Sequence, residues 1–546
     1  MNPHKEKHMR KIKASGKIIL ILLASALLFA GCGKTKTASS KKTHALNPRQ
    51  GVYYSLFVRS FADSDGNGTG DFNGIRSKLD YLEDLGISGI WLLPIYPSGS
   101  YHGYDVDDYY AVNPDYGTMQ DFEALVSECK SRGIAVMLDI TFNHSSSNNP
   151  WFKASKNPDD PHRKWYHWIS ENPANEYTDD SSKYNVNQKI WGHNLWNKSG
   201  NGWYAGEFYD GMPDFNLDCP ELRGELKNVL RFWTEKGVSG FRFDAAGHIY
   251  DKIKMPSDFT DSTSSSQAFW KEISDYLDEI NPENYCVGEV WENTSIRAAA
   301  LGGLNSVFHF DMGDTYILGN IREKSAGANN FAHVLENDYE AYSRYNKNFI
   351  DAPFLSNHDQ ARIAGNLKGN VEELKVAAGM YILTQGIPFV YYGEEIGMMS
   401  GTKDETKRTP LLWGEKDKAQ TSWASDADCI YNTNTKSIRT QEKDKSSLLN
   451  YYKELINFRN GCPAFNGKLS AFDTGNSSLS SWKMKNGNDE VLVVHNVSAE
   501  NTVLELPGNA SYTPLFQTKK SAKNGGSPIT IPPLCTMVFS IENNPD

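Results

Sequence analysis

One pattern constrains this chain more than any other. A stretch with apolar residues at helical spacing ends in glycine, and a short apolar run follows at once. Leu79, Leu82 and Leu85 lead to Gly86 and then Ile87–Pro94; Met119, Phe122, Leu125 and Cys129 lead to Gly133 and then Ile134–Phe142. Leu222, Leu226, Val229 and Trp233 lead to Gly237 and Val238–Asp244, and Gly386 precedes Ile387–Tyr392. Glycine stops a helix because it adopts the left-handed cap conformation without a Cβ clash. The runs that follow read as strands buried on both faces, as a parallel sheet requires. Further runs at Val52–Phe57, Tyr285–Val290, Val307–Asp311 and Phe349–Leu355 bring the strands to about eight, alternating with helices. That alternation predicts an α/β chain folded as a (β/α)₈ barrel. A doubly wound open sheet also alternates, but the glycine-rich phosphate turn it carries after its first strand is missing from this sequence.

Two regions break the alternation. Residues 144–216 are rich in Trp, Asn, Pro and Gly and lack a helical period, so they are expected to form an irregular domain inserted after the third strand. From residue 461 to 546, short alternating runs such as Val491–His495 predict an antiparallel β-sandwich. The barrel then comprises 47–143 and 217–460, closed by a helix over Ser446–Arg459. The N-terminus carries a basic region and the apolar run Ile18–Ala30, too short for a comfortable membrane span and suited to a signal peptide over 1–31. It ends Leu28-Phe29-Ala30-Gly31-Cys32, which resembles a bacterial lipobox, with Phe29 in place of the usual Leu. Cys32 would then be lipidated, residues 32–46 would be a polar tether, and the protein would sit on the outer face of the cell membrane, held only by its lipid.

With 56 basic against 67 acidic side chains the formal net charge is −11, which excludes a general nucleic-acid binder. Six cysteines besides Cys32 are scattered without C-x-x-C spacing, so no zinc site is expected and no disulfide pairing follows. A monomer is expected.

In a barrel, catalytic side chains lie at the C-terminal ends of the strands. Here those ends are polar: Asp139, Asn143 and His144 on the third; Arg242, Asp244 and His248 on the fourth; Glu289 on the fifth; Asn357, His358 and Asp359 on the seventh. A lone Asp after a strand is commonly a helix cap. So many carboxylates and histidines on one rim are costly without a task. The segments Asp139–His144, Gly240–His248, Gly288–Trp291 and Phe354–Asp359 resemble, in order, the four signature motifs of the α-amylase superfamily. Gly103-Tyr104-Asp105, Tyr392–Glu395 and Arg408-Thr409-Pro410 match flanking segments.

The resemblance implies retaining hydrolysis of α-1,4 bonds in starch fragments and malto-oligosaccharides. Asp244 would be the nucleophile, Glu289 the acid and base, and Asp359 the stabiliser of the transition state. Arg242 would orient Asp244, while His102, Tyr104, His144, His248, Asn357 and His358 would bind sugar. Asp63, Asp65, Asn67, Thr69 and Asp71 alternate with glycines in a pattern that suits Ca²⁺, and the family often carries a calcium loop here. A second ion is expected at Asn143 and Asp214, as in many amylases. Met212–Asn216 resembles the motif of the group intermediate between α-amylases and the oligo-1,6-glucosidases and neopullulanases, with Phe215 for a common Leu. Tyr101 stands where exo-acting relatives place a blocking Asp, so an open, endo-acting cleft is expected; Gly247 replaces a common Lys beside His248. The alternatives are a 4-α-glucanotransferase, a cyclomaltodextrinase- or neopullulanase-like enzyme, and a non-catalytic starch-binding lipoprotein.

Overall fold

The computed structural model describes residues 46–326, 331–506, 510–519 and 527–543. Cys32, the signal segment 1–31 and the tether up to residue 45 lie outside the described residues. Eight strands form one parallel sheet: Tyr53–Leu56 (β1), Gly89–Leu92 (β2), Ala135–Thr141 (β3), Gly240–Asp244 (β4), Val287–Gly288 (β5), Ser306–Phe308 (β6), Ile350–Ala352 (β7) and Phe389–Tyr391 (β8). Their order runs β7-β6-β5-β4-β3-β2-β1-β8. The two ends meet where Phe354, just beyond β7, bridges Phe389 of β8 in parallel, and Phe389 N–H donates to the Pro353 carbonyl at 2.9 Å. The sheet closes on itself as the sequence predicts.

The glycine punctuation has its expected cause. The helix Leu79–Leu85 ends at Gly86 with φ 88°, and β2 follows three residues later. At Gly386, φ is 98° and an added Cβ would strike the Asp351 carbonyl, so only glycine allows the chain to approach β7 before entering β8. The helix Pro220–Glu235 buries Leu222, Leu226, Val229, Leu230 and Trp233. Trp233 is wholly buried and donates its Nε1–H to the Tyr109 carbonyl at 2.8 Å. Losing such a side chain to alanine costs about 3–5 kcal/mol.

After β3 the chain leaves the barrel. This region is more regular than its composition suggests. Residues 168–170, 179–180, 196–199 and 202–205 form a four-stranded sheet, and Lys189–Ile190 pairs with His193–Asn194 in a hairpin. Its strands are at most four residues long, too short to register as a period of two. Aromatic packing holds it instead, with Phe152 stacked on Trp168 at 5.7 Å. The helix after the barrel runs Leu448–Gly461, with the Ser447 hydroxyl accepting from Asn450 N–H. Five antiparallel strands follow, faced by a two-stranded sheet over Thr502–Leu504 and Ile529–Ile531. Trp482 of this domain is fully buried in the same apolar core as the barrel and donates to the Leu383 carbonyl at 3.0 Å. The six described cysteines are free thiols.

Candidate active site

Alternation along β4 puts Arg242 and Asp244 on one face, and the parallel register sets Arg242 beside Asp139 of β3 and Val287 of β5. Arg242, almost wholly buried, becomes the hub of the site. Its Nη1–H groups donate to Asp139 Oδ1 at 2.7 Å and Asp244 Oδ1 at 2.5 Å, and its Nη2 lies 2.9 Å from Glu289 Oε2. Glu289 immediately follows β5, and its Oε2 also accepts from the Ala245 N–H at 2.8 Å. Ala245 takes φ 47° to present that N–H, a conformation non-glycine residues avoid and one that marks functional strain. Asp244 Oδ2 and Glu289 Oε1 are the oxygens left for a substrate.

Asp139 is saturated, accepting also from Tyr104 Oη at 2.9 Å and Trp91 Nε1 at 3.1 Å. Across the cavity, Asp359 binds His358 Nε2 through Oδ2 and Arg408 Nη2 through Oδ1, each at 2.9 Å. The three carboxylates open onto a cavity of about 750 Å³ lined also by His102, Tyr104, His144, His248, Trp191 and Trp291. A larger cavity, about 1020 Å³ between residues 409 and 443, contains none of these carboxylates.

The electrostatics separate the acids. Burial pushes the Glu289 carboxyl up against the pull of Arg242, and the charges of Asp244 and Asp359 push it further. Burial likewise raises Asp244 to about 6, opposed by Arg242. Burial acts on Asp359 in the same direction, but His358, Arg408 and Arg242 together outweigh it and hold that carboxyl well below its usual range. One acid that keeps its proton beside another that cannot is the arrangement acid–base chemistry needs.

Most of the expected sugar-binding residues gather here, already partnered. Tyr104 stacks on His358 at 5.4 Å and an interplanar angle of 10°, and the His102 ring lies 5.9 Å from it. His144 lines the cavity, gives Nε2–H to the Tyr104 carbonyl at 3.2 Å, and is held neutral by burial and Lys254, its pKa lowered to about 3. His248 is the opposite case. Burial disfavours its charge, yet bonds to Asp251 and Glu207 raise it to about 10. Asn357 Oδ1 accepts from the backbone N–H groups of Asp359 and Gln360, so it shapes the turn that presents Asp359. Tyr101 donates to Asp404 Oδ2 at 2.8 Å, and Asp404 itself lines the cavity beside Arg408.

The loop after β1 brings one oxygen each of Asp63, Asp65 and Asp71 within 4.8 Å of one another. This set of hard oxygen donors, with no Lys or Arg bonded to it among the described residues, fits a divalent cation such as Ca²⁺. Asn67 is exposed: its Nδ2–H donates to Asp65 Oδ2 at 3.1 Å, and its Oδ1 accepts from Thr69 N–H at 2.7 Å. The expected second ion position is corrected by the structure. The ammonium of Lys254, wholly buried, donates to Asn143 Oδ1 at 2.7 Å and Glu207 Oε2 at 3.1 Å and lies 3.9 Å from Asp214. A side-chain cation occupies the place expected for calcium at Asn143 and Asp214.

Glu207, Lys254, Trp191 and Arg408 were not among the expected site residues, and Asp139 was expected on the rim without an assigned role. Arg408 stood in a matched motif, whereas nothing local distinguishes the other three.

A closed barrel whose rim carries an arginine-linked acid pair and a third carboxylate defines a glycoside hydrolase. The profile described as alpha amylase, catalytic domain, matches residues 55–466, and that of the alpha-amylase SusG C-terminal domain matches 479–538; the chain belongs to the α-amylase family. It is 38% identical over 499 residues to Alpha-amylase 3 of Dictyoglomus thermophilum, covering 90% of this chain and 93% of that protein. It is 30% identical over 418 residues to a 4-alpha-glucanotransferase of Thermotoga neapolitana, covering 75% and 86% respectively. The crystal structure of an alpha-amylase from H. orenii superposes with a TM-score of 0.81 at 34% identity, over 90% of this chain and all of that one.

Proposed function

We propose that the chain cleaves internal α-1,4-glucosidic bonds of starch fragments and malto-oligosaccharides with retention of configuration. The observation that carries this reading is the single guanidinium joining Asp244 to Glu289, with Asp359 facing them. Asp244 Oδ2 attacks the anomeric carbon while Glu289 Oε1 gives its proton to the departing oxygen, leaving a glycosyl ester on Asp244. Water then loses a proton to Glu289 and attacks the same carbon, which frees Asp244. Asp359, held ionised by His358 and Arg408, offers negative charge and hydroxyl contacts where the ring turns cationic. Tyr104 supplies the stacking face in the cleavage subsite. Ca²⁺ held by Asp63, Asp65 and Asp71 would serve structurally, joining carboxylates that otherwise repel. The lipobox-like segment supports attachment through Cys32 to the outer membrane face; Cys32→Ser should then move activity from the membrane to the soluble fraction.

Asp244→Ala is expected to abolish turnover of maltoheptaose while the fold survives by circular dichroism; residual wild-type-like turnover would sink the nucleophile assignment. Proton NMR of the first products should show the α-anomer. A second reading is glucanotransfer, favoured by the similarity to the Thermotoga enzyme. Chains longer than the substrate appearing first from maltotriose would establish it over hydrolysis.

A further inference from the structure

The hairpin Lys189–Ile190/His193–Asn194 turns through two residues, Trp191 and Gly192, with φ 46° and 93°. Two successive positive φ values are those of a type I′ turn, whose first central position is normally filled by Asn, Asp or Gly. A tryptophan there is strained by its own Cβ. Nor does burial explain it, because Trp191 is 62% exposed, the most exposed tryptophan among the large exposed apolar side chains described. Breaking the turn rule for a ring that stays in solvent points to a task for the ring itself.

The ring is aimed. It packs on Phe208 at 5.4 Å and meets the edge of His248 at 5.7 Å, and it lines the catalytic cavity. The hairpin is tied to the same segment, since His193 Nε2 donates to the Glu207 carbonyl at 2.8 Å and Glu207 in turn holds His248 Nδ1. The cavity therefore has two ends. At one, Tyr104 stacks on His358, which with Arg408 holds Asp359; at the other, Trp191 and Phe208 pack on His248, whose neighbour Gly247 donates its N–H to the carbonyl of the proton donor Glu289 at 3.1 Å. A departing sugar lies on the side from which its oxygen receives the proton. Gly247, beside His248, offers no side chain there.

We propose that Trp191 is the stacking platform for the sugar on the leaving side of the cleaved bond, and that it sets how often the glycosyl ester on Asp244 is passed to sugar rather than water. This rests on the hydrolase reading above. In the transfer step a hydroxyl of the stacked sugar loses its proton to the Glu289 carboxylate and its oxygen bonds to the anomeric carbon. The carbon–Asp244 bond breaks, and its electron pair returns to the carboxylate. Water competes for the same carbon, and a sugar held on an aromatic face wins more often.

The test uses α-maltosyl fluoride as donor and maltose as acceptor, reading the ratio of maltotetraose to donor-derived maltose. Fluoride leaves without occupying the leaving-side subsite, so the ratio isolates the second half-reaction. Trp191→Asn is expected to lower the ratio about tenfold, with Trp191→Tyr within threefold of wild type. Trp191→Asn should also melt no lower than wild type, because Asn relieves the turn; a tryptophan kept for packing would instead lower the midpoint. An unchanged ratio in Trp191→Asn, or a wild type that forms no maltotetraose, overturns the proposal. A wild type that releases no fluoride overturns the hydrolase reading instead.

Discussion

Two acidic clusters flank the catalytic barrel ends, and they solve the same problem differently. In the loop after β1, Asp63, Asp65 and Asp71 converge, with no cationic side chain among the described residues bonded to them. Beside the inserted region, Glu207, Asp214 and Asn143 surround the ammonium of Lys254, with His248 at the rim raised to about 10 by its bonds to Asp251 and Glu207 against burial. Like charges held close in a poorly solvated site need a counter-charge. One cluster carries its own; in the other, backbone N–H groups of the loop bond to Asp63 and Asp71, and the proposed Ca²⁺ would add the counter-charge from solution. Stability should therefore respond to the medium through the first loop and to mutation through the second.

The largest expected effect is Lys254→Met, which strands Glu207 and Asp214 in the interior. Chemical unfolding should show a loss of about 3–5 kcal/mol, the usual result of removing one partner of a buried pair. Millimolar calcium should recover part of that loss, because the three oxygen-bearing side chains are already gathered; no recovery would mean that the two clusters are not interchangeable.

Next, chelation of wild type by EDTA should lower the thermal midpoint, by the equivalent of about 2.7 kcal/mol if free calcium exceeds its dissociation constant a hundredfold. Asp63→Asn should melt near the chelated wild type and ignore EDTA. A chelator response that survives in Asp63→Asn would place the ion elsewhere.

The smallest effect concerns pH. His248 is raised from 6.5 to about 10, so its contribution to stability is complete below about 6.5 and is lost as pH climbs through about 10. The stability gap between wild type and His248→Gln, measured by urea unfolding, should be widest near pH 6 and shrink toward pH 10. A gap that widens on going alkaline would mean that His248 is not the protonated member.

Much of this was legible before any coordinates. The barrel was, because glycine caps and doubly buried runs are local signals and each repeats along the chain. The carboxylates were, because each sits at the end of a strand within a matched segment. What the sequence concealed depends on distance along the chain. Lys254 meets Asn143 across 111 residues, and within Lys252-Ile253-Lys254 it reads as one more solvated charge. Glu207 lies in a stretch with no period at all. Trp191 looked like composition, since nothing in Ile190-Trp191-Gly192-His193 declares a turn of positive φ. The turn that Asn357 makes with Asp359 N–H was also concealed, because an Asn before Asp serves a turn as readily as a sugar.

The shared core of barrel and C-terminal sheet has a practical consequence. Trp482 packs against Phe331 at 5.4 Å and Tyr451 against Phe516 at 6.0 Å, so the seam is built of aromatic rings from both parts. A chain shortened after the helix Leu448–Gly461 would keep every residue that handles the substrate, yet present those rings to water. Such a fragment is expected to be sticky rather than merely less active, and domain-swap engineering should cut and rejoin this protein on the far side of the sheet, not at the sequence boundary.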